Sequence, residues 1–374
     1  LCFWPSTMLS NPIPYFESII DPRRNTKNKL HPLQSIIFIT LCSTLCGYDD
    51  WVSIEDFAQE QQEWFKQHID LPHGIPSHDT LSDVIGRLNK VAFSQALSQW
   101  MTNSLPELKD KHIAIDGKTT GGKICDEKSI TLVTAFATQA RLVLASTEVD
   151  KKTNEIKAIP ALLDLIDMKG SIVSMDAIYC QKDICRQLID KKADYVLSLK
   201  KNHATLYDDV SLYLDTQIKK QAVEIKEEIE KGHGRIEIRR YALSPHIDWL
   251  ESKEDWIGLK AIGMVESIRE INGKQEKQLR YYLTSLTDLT KFSETARGHW
   301  CIENQQHWVL DVIFGEDNSR SYTNNQRSNL AAFRRISLNL LQSVDDKLSI
   351  KRRRMRAAMN ADYREKIIFQ KQIS

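Results

Sequence analysis

Hydrophobic residues in the first part of the chain recur at the three- and four-residue spacing of α-helices. An apolar stripe over residues 36–45 follows Pro32, which suits the first turn of a helix, and Gly47 marks its end. Further helical stripes lie on both sides of the turn-rich loop 71–80. We therefore predict an all-helical N-terminal domain over residues 1–105.

From about residue 111 the hydrophobic period changes to that of β-strands. Short β-prone runs separated by glycine or charged turns predict three successive strands joined as a meander, at residues 113–115, 131–137 and 142–149. Alternating helices and strands follow, at residues 159–170, 172–175, 182–191 and 195–199. This succession predicts a mixed α/β sheet covered by helices, of which residues 106–204 supply the first part.

The pattern changes again toward the C-terminus. Residues 205–290 contain several strand-like runs, with Asn272-Gly273 as the predicted hairpin turn, and so indicate a β-rich insertion. Residues 291–345 return to helical spacing. Residues 346–374 contain the basic run Lys351 to Arg356, which predicts a basic C-terminal tail that is either simply solvated or a patch for nucleic acid.

Composition and charge limit the partners that the chain can attract. The 374 residues are 41% hydrophobic and carry a formal net charge of +1, and the length is enough for about two or three compact units. Because the whole molecule is not a polycation, any attraction to nucleic acid has to come from local basic patches. No apolar stretch approaches the roughly 20 residues that cross a bilayer, so we expect no membrane partner.

The chain has seven cysteines, and none forms a Cys-x-x-Cys pair. Cys42 and Cys46, like Cys180 and Cys185, stand among apolar residues at helical spacing, which favours buried free thiols over zinc ligands or disulfides. Free thiols indicate a reducing compartment, and we expect a cytoplasmic protein.

Three acidic residues each stand where an apolar element meets a polar turn, namely Asp116, Asp176 and Glu303. Taken singly, each could cap the next helix or fix a turn. Asp116 and Asp176 end strands of one predicted sheet, however, and the tips of adjacent strands lie within reach of one metal site. If the fold brings all three together, they can hold divalent metal ions against a phosphodiester.

Other residues compete for these roles. Glu155 precedes a predicted helix, where capping is the alternative to catalysis. Asp311 falls a little over two helical turns after Glu303, so it shares the same helix face and is a reserve third carboxylate. Trp300 and Trp308 are predicted to lie in the core rather than to stack on bases.

The chain resembles the DDE transposases of the H-repeat-associated type, the insertion sequences of the ISAs group, over nearly its whole length. In the N-terminal part the matching motifs are Asp21-Pro22-Arg23, His31-Pro32-Leu33, Cys46-Gly47, Asp50-Trp51 and Gly74-Ile75-Pro76-Ser77-His78-Asp79-Thr80. In the central part they are Ile115-Asp116-Gly117-Lys118, Lys152-Thr153-Asn154-Glu155-Ile156, Asp176-Ala177, Gln181-Lys182, Asp194-Tyr195-Val196-Leu197 and Lys200-Lys201-Asn202. Later they are His233-Gly234-Arg235, Arg297-Gly298-His299-Trp300, Ile302-Glu303-Asn304, His307-Trp308, Leu310-Asp311-Val312 and Gly315-Glu316-Asp317.

The resemblance implies an RNase H-like catalytic core that a β-rich insertion interrupts before its last helix, with Asp116, Asp176 and Glu303 as catalytic and metal-binding carboxylates. It implies two Mg2+ or Mn2+ ions and double-stranded DNA partners, the terminal inverted repeats and the target. Pairing of two ends favours a homodimer, in a bacterial protein that is nucleoid-associated when bound to DNA. The implied activity is DNA strand cleavage and strand transfer. An inactive DNA-binding remnant and a related nuclease that cuts without joining stay open as alternatives.

The predicted DNA contacts are basic or polar residues near these acids, namely Lys118, Lys200, Lys201, Asn202, Arg235, Arg297, His299 and His307. Loop 200–202 follows a strand and resembles a phosphate-contacting loop, with solvated loop charge as the alternative. Arg235 opens a basic strand, continued by Arg239 and Arg240, that faces either DNA or solvent. The broader relatives carry an arginine four residues before the catalytic glutamate, where this chain has His299.

Overall fold

The computed structural model describes residues 9–27, 29–105, 108–120, 129–149, 154–232, 235–271, 274–319 and 324–370. Their α-helices are α1 (Leu33–Cys46), α2 (Trp51–Glu60), α3 (Gln62–Lys66), α4 (His78–Arg87), α5 (Lys90–Ser104), α6 (Ile159–Asp164), α7 (Lys182–Asp190), α8 (Ala204–Lys219), α9 (Leu289–Gly298), α10 (Trp308–Val312), α11 (Asn324–Gln342), α12 (Ile350–Met359) and α13 (Ala361–Phe369). Their strands are β1 (His112–Thr120), β2 (Ile130–Ala137), β3 (Leu142–Glu148), β4 (Ile172–Met175), β5 (Asp194–Leu199), β6 (Ile225–Gly232), β7 (Arg235–Ser244), β8 (Ala261–Ile271) and β9 (Lys274–Thr284).

The described strands form a nine-stranded mixed sheet in the order β3-β2-β1-β4-β5-β9-β8-β7-β6. Strands β1, β4 and β5 run parallel, β9 joins β5 antiparallel, and the pairs β9-β8, β8-β7 and β7-β6 are antiparallel. The mixed α/β architecture predicted from the sequence is confirmed, and it is consistent with an RNase H-like core.

The segment predicted as a β-rich insertion differs from the expectation in two ways. It begins with the 16-residue helix α8, which the sequence pattern did not reveal. Its strands also extend the central sheet, because β9 pairs with β5. The predicted turn at Asn272-Gly273 lies outside the described residues.

The chain forms two compact units that are each assembled from separate segments. Unit 1 comprises Leu1–Glu107, Gly117–Ile166 and Glu303–Ser374, and unit 2 comprises Leu108–Asp116 and Asp167–Ile302. Strand β1 therefore changes from one unit to the other between its fifth and sixth residues.

Helix α11 is the central element of unit 1, where it contacts α1, α4, α5 and β3. The buried Asn339 amide donates to the Val143 carbonyl at 2.8 Å and accepts from the Val143 N–H at 2.8 Å, so it pairs with β3 as a neighbouring strand would. Asn329 donates to the Ile85 and Leu88 carbonyls at the end of α4, at 2.8 and 3.1 Å. These two amides fix α11 on both its sheet and its helix neighbours.

Helix α9 covers the sheet of unit 2, where it contacts β4, β5, β6 and β7. Phe292 on α9 is fully buried, and a Cβ at Gly263 of β8 would lie 2.3 Å from its ring. Only glycine therefore lets the helix approach β8 so closely. This packing places the C-terminal end of α9 over the sheet.

The basic C-terminal segment is not a solvated tail, so that prediction was wrong for several of its arginines. Helices α12 and α13 fold into unit 1, and the side chains of Arg353, Arg354 and Arg364 are buried. Arg354 pairs with the Asp49 carboxylate at 2.9 Å, donates to the Thr44 carbonyl near the end of α1 at 2.7 Å, and lies 4.0 Å from the Phe314 ring centroid. The guanidinium thus adds an N–H donor at the C-terminal end of α1, to a carbonyl that also accepts from the Gly47 N–H at 3.3 Å.

The predicted buried thiols are confirmed for Cys42, Cys46, Cys180 and Cys185, which are free and buried. Burial raises the pKa of all four thiols, to about 12 for Cys46 and Cys185. The described part of the chain contains no helix that is both long and apolar enough to span a bilayer.

Replacing Arg354 by alanine should lower the free energy of unfolding by about 3 kcal/mol, because it leaves the half-buried Asp49 charge without its partner and removes one donor from the Thr44 carbonyl. Denaturant titration followed by circular dichroism measures this. Arg352→Ala, an exposed neighbour on α12, is the matched control and should cost less than about 0.5 kcal/mol. Equal losses in the two variants would contradict the assignment.

Candidate active site

Asp116 and Asp176 are neighbours at the same level of two parallel strands. The register pairs Ile115 of β1 with Met175 of β4, and each aspartate is the next residue. Adjacent strands lie about 4.8 Å apart, so the two backbones are roughly that close. The backbone at Asp176 is extended (φ −73°, ψ 169°), which continues the strand alternation and directs both carboxylates to one face.

The Asp176 carboxylate faces a cation rather than its own turn. Asp176 precedes a 3₁₀ turn at Ala177–Tyr179, but its side chain makes no capping hydrogen bond there. The Lys200 Nζ donates instead to both carboxylate oxygens, at 3.2 and 3.1 Å. The capping role that is the ordinary alternative for such an aspartate is therefore not the one it adopts.

The loop that carries Lys200 is hydrogen-bonded to the turn after Asp176. The Asn202 amide donates to the Ala177 carbonyl at 3.0 Å, and His203 Nε2 lies 2.7 Å from the Cys180 carbonyl oxygen. Lys201, between them, is exposed. The structure thus brings Asp176, Lys200 and Asn202 together as one cluster.

A buried chain of hydrogen bonds lies on the same face as the two aspartates. His112 Nε2 is 2.6 Å from Ser174 Oγ, which is 2.7 Å from His299 Nδ1. Burial lowers the pKa of His112 to about 3 and that of His299 to about 4, with the nearby Asp176 opposing the second shift. The sequence analysis did not predict a role for Ser174 or His112. A signal was present, because each stands an even number of residues before an aspartate, and residues at even spacing along a strand share a face.

Glu303 opens a π-helical turn, Glu303–His307, that leads directly into α10. Its side chain is exposed rather than packed into a core, and such turns are frequent at functional sites. The prediction that Trp308 lies in the core was wrong, because its side chain is 54% exposed. Trp300 is partly buried, with the Arg280 guanidinium 4.5 Å from its ring centroid.

The reserve carboxylate Asp311 belongs to an ion-pair cluster of unit 1. Lys118 Nζ donates to Asp311 and lies 3.5 Å from Glu316, which pairs with Arg335 at 2.7 Å. Burial raises the pKa of Asp311 despite Lys118. Burial alone would raise the pKa of Glu316 too, but Arg335 and Lys118 hold it below its usual range. Lys118, only 10% exposed, is thus a structural cation here, which weighs against the DNA contact predicted for it.

The basic strand β7 lies in a ladder of opposite charges. Arg240 pairs with Glu227 on β6 at 2.6 Å and with Glu266 on β8 at 3.0 Å, directly across each strand. Arg239 and Arg297 both reach Glu230, at 3.0 and 3.3 Å. These arginines are therefore paired with acidic residues on both faces of β7 and do not form a free basic patch.

The side chain of Arg235 and the residues before it, His233-Gly234, lie outside the described residues. His307 is partly buried at the end of the π-helical turn. The DNA contacts proposed for Arg235 and His307 stay predictions.

The carboxylates of Asp116 and Asp176 suit a hard divalent cation. Carboxylate oxygens are the ligands that Mg2+ prefers, and the Lys200 ammonium shows that the Asp176 carboxylate is turned toward positive charge. Across the described ranges, no group of three or more His, Cys, Asp or Glu side chains lies close enough together to hold a metal ion. The ligand set Asp116, Asp176 and Glu303 stays a prediction.

Comparison with known families assigns the chain to a class of DNA-processing proteins. A model described as "Transposase DDE domain" matches residues 107–340, and one described as "DDE_Tnp_1-associated" matches residues 13–101. The chain therefore belongs to the DDE transposase family and is a DNA transposase. Domains of this family generally use divalent metal ions.

Relatives place it among the H-repeat-associated members, as the sequence motifs predicted. The putative transposase YncI of Escherichia coli O157:H7 is 35% identical over 95% of this chain and 93% of its own length. The H repeat-associated putative transposase YhhI of Escherichia coli K12 is 34% identical over 92% of this chain and 94% of its own. Among solved structures, a piggyBac transposase synaptic complex with hairpin DNA aligns with 97% of this chain and 79% of that chain, at a TM-score of 0.45 and 9% identity.

The buried His112 should make folding stability depend on pH. A histidine whose pKa falls from 6.5 to about 3 on folding has no effect above pH 6.5, and stability is lost as the pH falls from there toward 3, by about 1.4 kcal/mol per pH unit. His112→Gln keeps a donor at the Nε2 position and should make the slope between pH 6.5 and 5 shallower by that amount. Denaturant titrations at several pH values measure it.

His78 provides a control of opposite sign. The hydrogen bond with Glu55 raises the pKa of His78, so this pair stabilises the fold at low pH and the benefit is lost as the pH rises. This benefit changes with pH only above pH 6.5, so His78→Gln should alter the slope there and leave the slope between pH 6.5 and 5 nearly unchanged. An equal change of the slope between pH 6.5 and 5 in both variants would contradict the assignment of the buried histidine.

Proposed function

We propose that this transposase cleaves and joins DNA strands with Asp116, Asp176 and Glu303 as its metal-holding carboxylates. Asp116 and Asp176 supply oxygen ligands from the sheet, and Glu303 supplies the third from the π-helical turn. These carboxylates would hold two Mg2+ or Mn2+ ions, whose Lewis acidity would supply activation of an attacking water or 3'-hydroxyl and charge stabilisation of the leaving oxygen. The carboxylates themselves fix where the attacking oxygen meets the phosphate, so that displacement occurs in line.

The parallel register of β1 and β4 is the observation that carries this proposal. It supports two carboxylates at one level and on one face, with Asp116 within β1 and Asp176 directly after β4. The contact from Lys200 adds support, because a carboxylate already held by an ammonium group is set to accept another cation. The single charge and 61% exposure of the Lys200 side chain favour its displacement by a divalent ion.

The loop after β5 is the proposed phosphate contact. Lys201 is exposed beside the cluster, and Lys200 is free to turn to a phosphate once a metal ion takes Asp176. Asn202 holds the loop in place through its bond to the Ala177 carbonyl. Terminal inverted repeats and target DNA are the proposed ligands, bound by a homodimer that pairs two ends, in a cytoplasmic protein that works at the bacterial nucleoid.

Asp116→Asn and Asp176→Asn should each reduce metal-dependent strand cleavage by roughly a thousandfold or more, the scale of removing one member of a catalytic unit. DNA binding should persist, because neither carboxylate is a proposed phosphate contact. A nicking assay on a duplex that carries the terminal repeat measures cleavage, and fluorescence anisotropy measures binding. Asp183→Asn, at an exposed carboxylate of α7 in unit 2, is the matched control.

The third carboxylate is tested in the same assay. Glu303→Gln should abolish cleavage, whereas Asp311→Asn should lower stability through the loss of its Lys118 partner and leave cleavage in place. The reverse result would move the third ligand to Asp311. Cleavage without joining of a pre-cleaved end would indicate a nuclease, and binding without nicking an inactive remnant.

Lys201→Ala should weaken DNA binding about equally for all sequences and reduce the slope of log K against log salt by about 0.9, the value for one phosphate contact. Anisotropy titrations from low to moderate salt measure the slope. Lys260→Ala, at an exposed lysine of unit 2 outside the loop, should leave it unchanged. A slope that is the same in both variants would remove Lys201 from the interface.

A further inference from the structure

The chain of His112, Ser174 and His299 joins three segments that are far apart in sequence. His112 begins β1, Ser174 lies on β4, and His299 directly follows α9. Its two hydrogen bonds, of 2.6 and 2.7 Å, lie within unit 2. The chain therefore ties the strands that carry the two aspartates to the end of the covering helix.

The Ser174 hydroxyl determines that one of the two imidazoles donates a hydrogen bond to it and the other accepts one. A hydroxyl group has one hydrogen, so in a chain of this kind Ser174 donates to one ring and accepts from the other. The ring that accepts has a bare nitrogen toward Ser174, and the ring that donates carries its proton there. Because burial lowers the pKa of both rings, either arrangement joins two neutral imidazoles.

We propose that His299 is a positioning residue that acts through its Nδ1 bond to Ser174, with His112 completing the hydrogen-bond chain, and that it holds β1 and β4 so that Asp116 and Asp176 lie at one level. This rests on the proposed function, because it assumes that these two aspartates are metal ligands. It differs from the role predicted from the sequence, in which the His299 ring contacts phosphate directly. The two roles use different nitrogens of the ring.

Substitutions that imitate one ring nitrogen at a time can distinguish the roles of Nδ1 and Nε2. An asparagine side chain places its polar atoms where Nδ1 of a histidine lies, whereas glutamine reaches the Nε2 position. At residue 299 the hydrogen-bond chain uses the ring nitrogen Nδ1, so His299→Asn should keep cleavage near that of the wild-type protein. His299→Gln should lose roughly 10- to 100-fold, the range for residues that orient metal ligands. Cleavage of a terminal-repeat duplex in Mg2+ measures both.

The preference for asparagine over glutamine should reverse at residue 112, because the hydrogen bond to Ser174 uses Nε2 of that ring. His112→Gln should keep cleavage, and His112→Asn and Ser174→Ala should lose it to a similar extent as His299→Gln, with DNA binding unchanged in all variants. Thermal unfolding midpoints should follow the same order, because each retained bond stabilises unit 2. A general loss of packing would not produce opposite preferences at the two histidines.

The reverse order at residue 299, with glutamine active and asparagine inactive, would overturn the proposal in favour of direct phosphate contact. Equal losses or equal retention in both isosteres would overturn it as well. If the wild-type protein cleaved no DNA under any metal condition, the proposed function would fail and the positioning role with it. The order of the thermal unfolding midpoints would then still test the hydrogen-bond chain. Failure of the proposed function can therefore be distinguished from failure of the hydrogen-bond chain.

Discussion

The parallel register between β1 and β4 is the constraint on which the site depends. Residues of these strands alternate between two faces, so a slip of one residue would move Asp176 and Ser174 together to the opposite face. Buried Ile113 and Ile115 on β1, paired with Val173 and Met175 on β4, resist such a slip because they would have to leave the core. The apolar partners thus fix the level at which the carboxylates meet.

Elements with one dominant period could be predicted from the sequence almost to the residue. Strand β4 and helix α7 are examples, because a short β-prone run before a polar turn and a clean helical stripe leave no competing interpretation. Helix α8 was missed because its polar residues hide the stripe of Leu206, Val210 and Leu214 that packs inward. The formation of this helix depends on its packing against β7, β8 and β9, and local periodicity does not reveal those distant partners.

Charged residues were harder to place than apolar ones, since their environment depends on partners distant in sequence. Arg354 is buried because Asp49 lies beside it, and Lys118 is a structural cation because Asp311 and Glu316 surround it. A run of charges carries no signal of such partners. Asp176 could be placed after β4 because the sequence marks that strand end, whereas Asp116 lies within β1, which continues to Thr120 beyond its predicted end. The hydrogen-bond chain of His112, Ser174 and His299 becomes visible only when β1 and β4 are aligned.

The buried cysteines make the two units separately observable. Cys42 and Cys46 lie in unit 1, and Cys180 and Cys185 lie in unit 2, all with raised pKa values that suppress the reactive thiolate. Each pair can react with an alkylating reagent only when its own unit opens. Rates of modification read by mass spectrometry would then report local opening of each unit in the same molecule, and show which one gains rigidity when DNA or metal binds.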